Sequence, residues 1–336
     1  MTQVYYRAIA QTDPFRPNGA LRLAGGWTWF AQAEVLTRDG SQGLIPATDL
    51  PPEVLARLTS PRPDFAGIAM DRPRIMSILN VTPDSFSDGG DFLDPAAALA
   101  QARRMVADGA DILDIGGEST RPGARIVAEQ DEIARTAPVI AGLRAEIRAA
   151  ISIDTRKASV AKAALEAGAD IVNDVAAMTY DAGIASVTAQ SGAPICLMHA
   201  QGTPETMHLD PRYDNVLLEV YDFLEERVST AIAAGIPRDR ICVDPGIGFG
   251  KTLDHNLTLI RNLSLFHGLG CPVLLGASRK RFIGTLGNAP EAKDRIPGSI
   301  AVALAGAAQG VQILRVHDTK ETRQALSLQM ALSGES

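Results

Sequence analysis

The chain is 336 residues long, 46% hydrophobic and 21% charged, with a formal net charge of −7. A chain of this size and composition buries a large core and needs no disulfide framework to hold it. The acidic balance excludes a general nucleic-acid binder, which carries a basic excess; an anionic small substrate fits only where positive charge is gathered locally, as at Arg279-Lys280-Arg281.

Residues 1–74 keep no regular rhythm. Met1–Asp13 lacks the basic stretch and apolar core of a secretion signal, so a cytoplasmic location is expected. The segment is rich in Pro and Gly, holds both tryptophans (Trp27 and Trp29) and ends in Ser60–Pro63. That stretch reads as a linker or the edge of an appended segment. Ala33–Leu36 fits either a strand or a turn of helix. Residues 1–74 are set apart as an N-terminal extension of no readable role, and 75–336 as the main domain.

From residue 75 short apolar runs alternate with longer helical patterns. The runs are Ile75–Asn80, Ile112–Gly116, Ile151–Asp154, Ile171–Asp174, Ile195–His199, Ile241–Asp244, Val273–Gly276 and Ile313–His317. They lie roughly 20 to 45 residues apart, as successive βα units do. Being continuously apolar, they suit parallel strands covered on both faces. Asp94 and Pro95 suit the start of the first helix, and Gly109 its left-handed stop. Glycine recurs at later helix-to-strand junctions as Gly168, Gly192, Gly235, Gly270 and Gly310. A weak internal repeat, Gly109–Asp114 against Gly168–Asn173, shows one unit reused. Eight strands over this length predict an α/β fold of the (β/α)8 TIM-barrel type with an extra N-terminal segment. The rival is a doubly wound open sheet, which often carries a glycine fingerprint after its first strand; none follows Ile75–Asn80.

Cys196 and Cys242 fall inside these runs, and neither they nor Cys271 has zinc or redox spacing, so buried thiols are expected. The longest apolar run, Ile300–Ala308, falls far short of the ~20 residues of a membrane span. No membrane partner is expected.

Polar residues end nearly every strand: Asn80, Asp114, Asp154, Asn173-Asp174, His199, Asp244, Ser278–Lys280, and Arg315 with His317. A lone Asp there is more often a helix cap. In a βα barrel, however, these ends converge on one pocket, and so many together read as an active site. The loops Asn80–Gly90 and Gly116–Gly123 are built of ordinary turn-formers, though Thr120 and Arg121 suit an anion. Gly250-Lys251-Thr252 imitates a phosphate loop, but Pro245 stands where its first glycine is required. Phe249 is better placed to stack on a flat ligand. Arg315 and His317, two apart on a strand, share a face, and Lys280 follows the neighbouring strand.

Taken in order, Ile78–Gly90, Asp114–Gly123, Ser152–Thr155, Val172–Asp174, Met198-His199, Asp244–Gly246, Ser278–Lys280 and Arg315–Asp318 closely resemble the dihydropteroate synthase family of pterin-binding barrels. The resemblance runs from about residue 75 to the C-terminus. It implies a TIM-barrel transferase that condenses p-aminobenzoate with 6-hydroxymethyl-7,8-dihydropterin pyrophosphate, with sulfonamides as inhibitors and a homodimer as the assembly. Carried over position by position, Asp154, Asn173, Asp244 and Lys280 hold the pterin, Met198 lines the slot and Arg315 stacks across it. Asn80, Arg315 and His317 meet the pyrophosphate, with Mg²⁺ on Asn80. Phe86, Thr120, Arg121, Pro122 and Phe249 form the p-aminobenzoate pocket. Two departures are Ile247, where many relatives have an aromatic, and Arg281, where some have Ser. Two other readings stand beside this one: a methyltransferase moving a methyl group from methyltetrahydrofolate to a corrinoid, and a catalytically silent homologue that binds pterin or a partner.

Overall fold

A computed structural model describes residues 3–82, 95–118, 126–203, 206–207 and 209–335. The predicted runs form eight parallel strands: β6 (Arg74–Asn80), β7 (Ile112–Gly116), β8 (Ala150–Asp154), β9 (Ile171–Asp174), β10 (Ile195–Met198), β11 (Ile241–Asp244), β12 (Leu274–Leu275) and β13 (Ile313–Val316). They pair in the order β11-β10-β9-β8-β7-β6-β13-β12. A parallel bridge between Val243 and Val273 joins the two ends of that order, with the Val243 N–H donating to the Pro272 carbonyl at 3.0 Å. The sheet thereby closes as a TIM barrel rather than opening as a doubly wound one.

Strand limits differ from the apolar runs by at most one residue. His199, Gly276 and His317 fall just beyond their strands, because main-chain pairing stops before the side-chain pattern does. Helices follow the strands: α2 (Pro95–Ala107), α3 (Glu129–Arg144), α4 (Ala158–Glu166), α5 (Gly183–Ser191), α6 (Val216–Ala233), α7 (Leu253–Arg261), α8 (Arg281–Leu286), α9 (Ile296–Ala307) and α10 (Thr319–Leu332). Pro95 opens α2 as expected; Asp94 lies outside the described residues.

Side chains alternate across each strand, and this alternation sorts the sequence into layers. Ile75, Leu79, Leu113, Ile115, Ile151, Ile153, Val172, Leu197 and Val243 join the core beneath the helices. Their neighbours Met76, Ile112, Ala150, Ile171, Cys196, Cys242, Leu274 and Ile313, one per strand, form a separate apolar floor. Phe65 and Met70, from the segment before β6, plug that floor and are 0% and 2% exposed. Two residues further along the same faces the pattern turns polar: Asp114, Ser152, Asn173, Asp244 and Arg315. Period two therefore carries these five strands from an oily floor to a polar rim.

The N-terminal segment forms β1 (Tyr5–Ala8), β2 (Leu21–Arg22), β3 (Trp29–Phe30), β4 (Gln32–Thr37), β5 (Gly40–Pro46) and α1 (Pro52–Thr59). The order β1-β4-β5 is an antiparallel sheet, so the ambiguous Ala33–Leu36 is strand. Its own core holds Ala8, Leu23, Phe30, Ala33, Ala47, Leu50 and Leu58. The segment is bonded to the barrel flank: Trp27 Nε1 donates to the Ala307 carbonyl at 2.8 Å and Ser264 Oγ to the Ala8 carbonyl at 2.8 Å. Arg62, in the Pro-containing stretch, is 7% exposed and donates to the His267 carbonyl at 2.9 Å. Where the two parts meet, Gly310 has φ +81°, and a Cβ there would stand 2.9 Å from Thr28 Oγ1. The three cysteines are buried free thiols. Among the described residues no helix is long and apolar enough to cross a membrane.

Candidate active site

Asp114, Asp154, Asn173 and Asp244 rise from β7, β8, β9 and β11 and are 0%, 9%, 4% and 5% exposed. Arg315 comes in from β13. Its Nε lies 2.6 Å from Asp114 Oδ2 and its Nη2 2.6 Å from Asp154 Oδ2, while Asn173 Nδ2 donates to Asp114 Oδ2 at 3.1 Å. Burial alone would drive a proton off the guanidinium, yet these carboxylates hold it on more firmly than usual. Asp114 is the hub of the set. It was named above only as a strand-end polar residue; the signal that marks it is its place two residues past Ile112 on the inward face.

Two glycines keep space open on this rim. A Cβ on Gly116 would stand 3.6 Å from Asn80 Oδ1 and 3.8 Å from Asp154 Oδ2, and one on Gly276 3.5 Å from Asp244 Oδ2 and 3.8 Å from Arg315 Cδ. Asn80, Asp154, Asp244 and Arg315 thus look onto gaps where a side chain is missing from the inward column.

Lys280 closes the other side. Its Nζ donates to the Ile247 carbonyl and sits 4.2 Å from the centroid of the Phe249 ring, a cation–π contact. Burial pushes its ammonium down to about 7, and Arg315 adds to this against the pull of Asp244 and Asp154. Asp154 is pushed up to about 7, by burial first and by Asp114 among others, with Arg315 opposing. Asp244 is likewise raised by burial, while the Gly246 N–H, 2.7 Å from its Oδ1, opposes this. An acid and a base of matched proton affinity therefore share one mouth.

The Asp244–Lys251 loop fits only because its glycines have no side chains. Gly246 has φ +68°, and a Cβ there would fall 1.8 Å from the His199 carbonyl oxygen. Met198, 4% exposed, packs beneath it. The imitation phosphate loop points elsewhere: Lys251 Nζ lies 2.9 Å from His199 Nδ1 and donates to the Phe249 carbonyl at 3.0 Å. Thr252 caps α7 in a reciprocal box with His255. His199 is accordingly turned away from the rim. Asp174 also has the bland role, accepting from the backbone N–H of Ala176 at 2.8 Å and of Met178 at 2.5 Å.

His317 meets Ser278, which the sequence marks only as a strand-end polar residue: Nδ1 and Oγ are 3.0 Å apart. Ile247 is fully buried and Arg281 exposed. Phe86, Thr120, Arg121 and Pro122 lie outside the described residues. The rim thus gathers Asn80, Asp154, Asn173, Met198, Asp244, Phe249, Lys280, Arg315 and His317, and it can accept from a donor-rich flat edge while offering cations to an anion.

Comparison with known proteins adds an independent finding. The family profile of pterin binding enzymes matches residues 76–317. The dihydropteroate synthase of Neisseria meningitidis serogroup B is 48% identical over 270 residues, covering 79% of this chain and 94% of that protein. The Xanthomonas albilineans dihydropteroate synthase, solved with 4-aminobenzoic acid, superposes with TM-score 0.77 at 45% identity, covering 83% of this chain and 100% of that one. The Yersinia pestis enzyme, solved with a sulfonamide drug, gives TM-score 0.76 at 43% identity over 80% of this chain and 96% of that one.

Proposed function

The chain belongs to the pterin-binding enzyme family and, within it, to the dihydropteroate synthases, and we infer from that premise how its rim residues divide the reaction. The protein is a transferase of folate biosynthesis. It condenses p-aminobenzoate with 6-hydroxymethyl-7,8-dihydropterin pyrophosphate, giving 7,8-dihydropteroate and pyrophosphate.

The observation that carries the division of roles is that Asp154 and Asp244, from separate βα units, face the two glycine gaps, with Asn173 bonded to the Asp114 hub at 3.1 Å and Lys280 in the field of both carboxylates. Carboxylate and amide oxygens of Asp154, Asn173 and Asp244 accept the adjacent N–H donors of the pterin edge. Lys280 donates to the ring carbonyl and N5. Met198 lines the slot. Arg315, a planar cation already facing Asp154, stacks across the ring and yields part of that carboxylate to the substrate's donors. Asn80, Arg315 and His317 receive the pyrophosphate. Phe249, with Phe86, Thr120, Arg121 and Pro122, walls the p-aminobenzoate pocket.

The chemistry asks little of a general base. The C–O bond to pyrophosphate breaks with its electron pair leaving on the phosphate, and the pterin methylene becomes a delocalised cation. The buried Asp154 carboxylate stabilises that charge at close range. The neutral arylamine then attacks through its lone pair and sheds a proton. Among the described residues no group of three or more His, Cys, Asp or Glu is gathered to hold a metal. Mg²⁺ binding through Asn80 and the substrate's own phosphate oxygens suits such a site, and Asn80, half-buried with Oδ1 facing the Gly116 gap, fits that part. When bound, the ion neutralises charge developing on the leaving group.

A turnover assay with both substrates and Mg²⁺ tests this reading. Dihydropteroate should form, and Asp154→Asn should abolish most of it in folded protein; a fully active Asp154→Asn variant would refute the assigned pterin slot. Sulfonamides, which occupy the Yersinia pestis enzyme, should compete with p-aminobenzoate. A cytoplasmic location is supported by the buried free thiols. A homodimer is supported by α9, whose residues Pro297, Ala301 and Ala305 are exposed, and by Leu328 and Leu332, exposed on α10. Sedimentation of Leu328→Glu against the parent protein checks it.

A further inference from the structure

Between Ser278 and Lys280 stands Arg279, a non-glycine residue held at φ +58°, in the left-handed region that side chains disfavour. Its surroundings account for this. The Arg279 N–H donates to Ser299 Oγ at 2.8 Å, and its carbonyl accepts from Arg295 Nη1 at 2.9 Å. Both backbone groups of the strained residue are therefore fixed by side chains at the start of α9. Its guanidinium makes a two-pronged ion pair with Asp318, Nε to Oδ2 at 3.1 Å and Nη2 to Oδ1. Asp318 is 6% exposed. Strain of this kind persists only where surrounding contacts over-determine it, and such residues gather at functional sites.

The location gives the pair its meaning. Main-chain pairing of β12 with β13 ends at Leu275 and Leu314, before either chain reaches its polar end. Beyond that point the two are joined by side chains. Ser278 Oγ accepts from the His317 N–H at 3.2 Å and meets its Nδ1 at 3.0 Å, and Arg279 grips Asp318 one residue later. These are two successive rungs, and Lys280 and His317 sit at their edges. We propose that the Arg279–Asp318 ion pair is a positioning device that extends the barrel past its last backbone rung and fixes the separation of Lys280 from His317. The two residues act on substrate only through those neighbours, so the proposal rests on the roles given to Lys280 and His317 above.

The test uses the full chain. Arg279→Gly keeps the left-handed backbone and deletes the ion pair; Asp318→Asn is isosteric and removes only the charge. Each should lower kcat/KM of the folded protein for the pterin pyrophosphate by about tenfold to a hundredfold, with KM for p-aminobenzoate nearly unchanged. The double variant should be no worse than the poorer single one, because both remove the same contact. Unchanged kinetic constants in both single variants, or additive losses in the double, would overturn the proposal. Lys280→Ala, measured alongside, separates the two readings. If it too is fully active, the assigned role of Lys280 fails; if it is inactive while Arg279→Gly is normal, only the positioning role fails.

Discussion

Arg315 on β13 reaches Asp154 on β8, three strands away around the barrel, with Nη2 2.6 Å from Oδ2. The contact ties distant parts of the mouth together and keeps a buried carboxylate from standing alone beside Asp114. It also sets the charge state in which the rim meets its substrate.

The pH dependence follows from that charge state. Asp154 must be ionised to accept from the pterin, and its carboxyl lies at about 7, raised by burial. Lys280 must be protonated to donate, and burial lowers it to about 7. The profile of kcat/KM for the pterin pyrophosphate should be a narrow bell with both limbs near neutrality, belonging to the pair rather than to either residue. Asp154→Asn should remove the acid limb from the residual activity. A flat profile across neutrality would contradict this.

Lys280→Met should separate activity from stability. Loss of the donor should cut kcat/KM by roughly a hundredfold or more. The folded-state value is depressed from 10.5 to about 7, so the lysine's contribution to stability is present above 10.5 and is lost as pH falls through about 7. Methionine carries no such dependence. Chemical denaturation should show the variant gaining most over the parent at and below neutrality, with the gain shrinking towards alkaline pH.

Lys157 is expected to matter for stability. Its Nζ lies 2.6 Å from Glu118 Oε2, Glu132 Oε2 and the Val127 carbonyl oxygen, and it is 3% exposed. Lys157→Met leaves two carboxylates without their shared cation, a loss of about 3–5 kcal/mol. Burial pushes the Glu118 carboxyl up, but Lys157, the Val127 N–H and Arg156 outweigh it and hold the group below its usual 4.5. Its contribution is present above that value and lost as pH falls through the lower folded one. Urea titrations at neutral and acid pH should show the gap between parent and variant closing on acidification.

Phe65→Ala probes the barrel floor. The ring is fully buried in the cluster that holds Met76, Ile112 and Ile313, so its removal opens a cavity costing about 3–5 kcal/mol. The polar rim is one layer further along the strands. Calorimetry should record a clear fall in Tm, while kcat/KM of the folded fraction stays near that of the parent.

Much of the barrel was legible in the order of residues. Apolar runs of β-branched residues, with glycine at the helix-to-strand junctions, are local properties, and the eight runs became eight strands. The polar ends of those runs were equally readable, because a strand's end and a helix's start are fixed by neighbours in sequence. Asp174 and His199 show the limit of that reading. Each follows directly on a rim residue, Asn173 or Met198, but is one residue out of phase with it, and a shift of one turns a side chain to the other face.

What the sequence alone determined was the set of parts: the strand runs, the polar residues at their ends and the loops resembling a known family. Which residues meet was settled only by closure of the sheet, which brings β13 round to β6 and sets Arg315 across from Asp114 and Asp154. The packing of Phe65 beneath the floor and the grip of Arg279 on Asp318 belong to the same category. Such contacts join residues far apart in the chain, and no local preference encodes them; they exist because barrel geometry buries those groups together, where unpaired polar groups are costly.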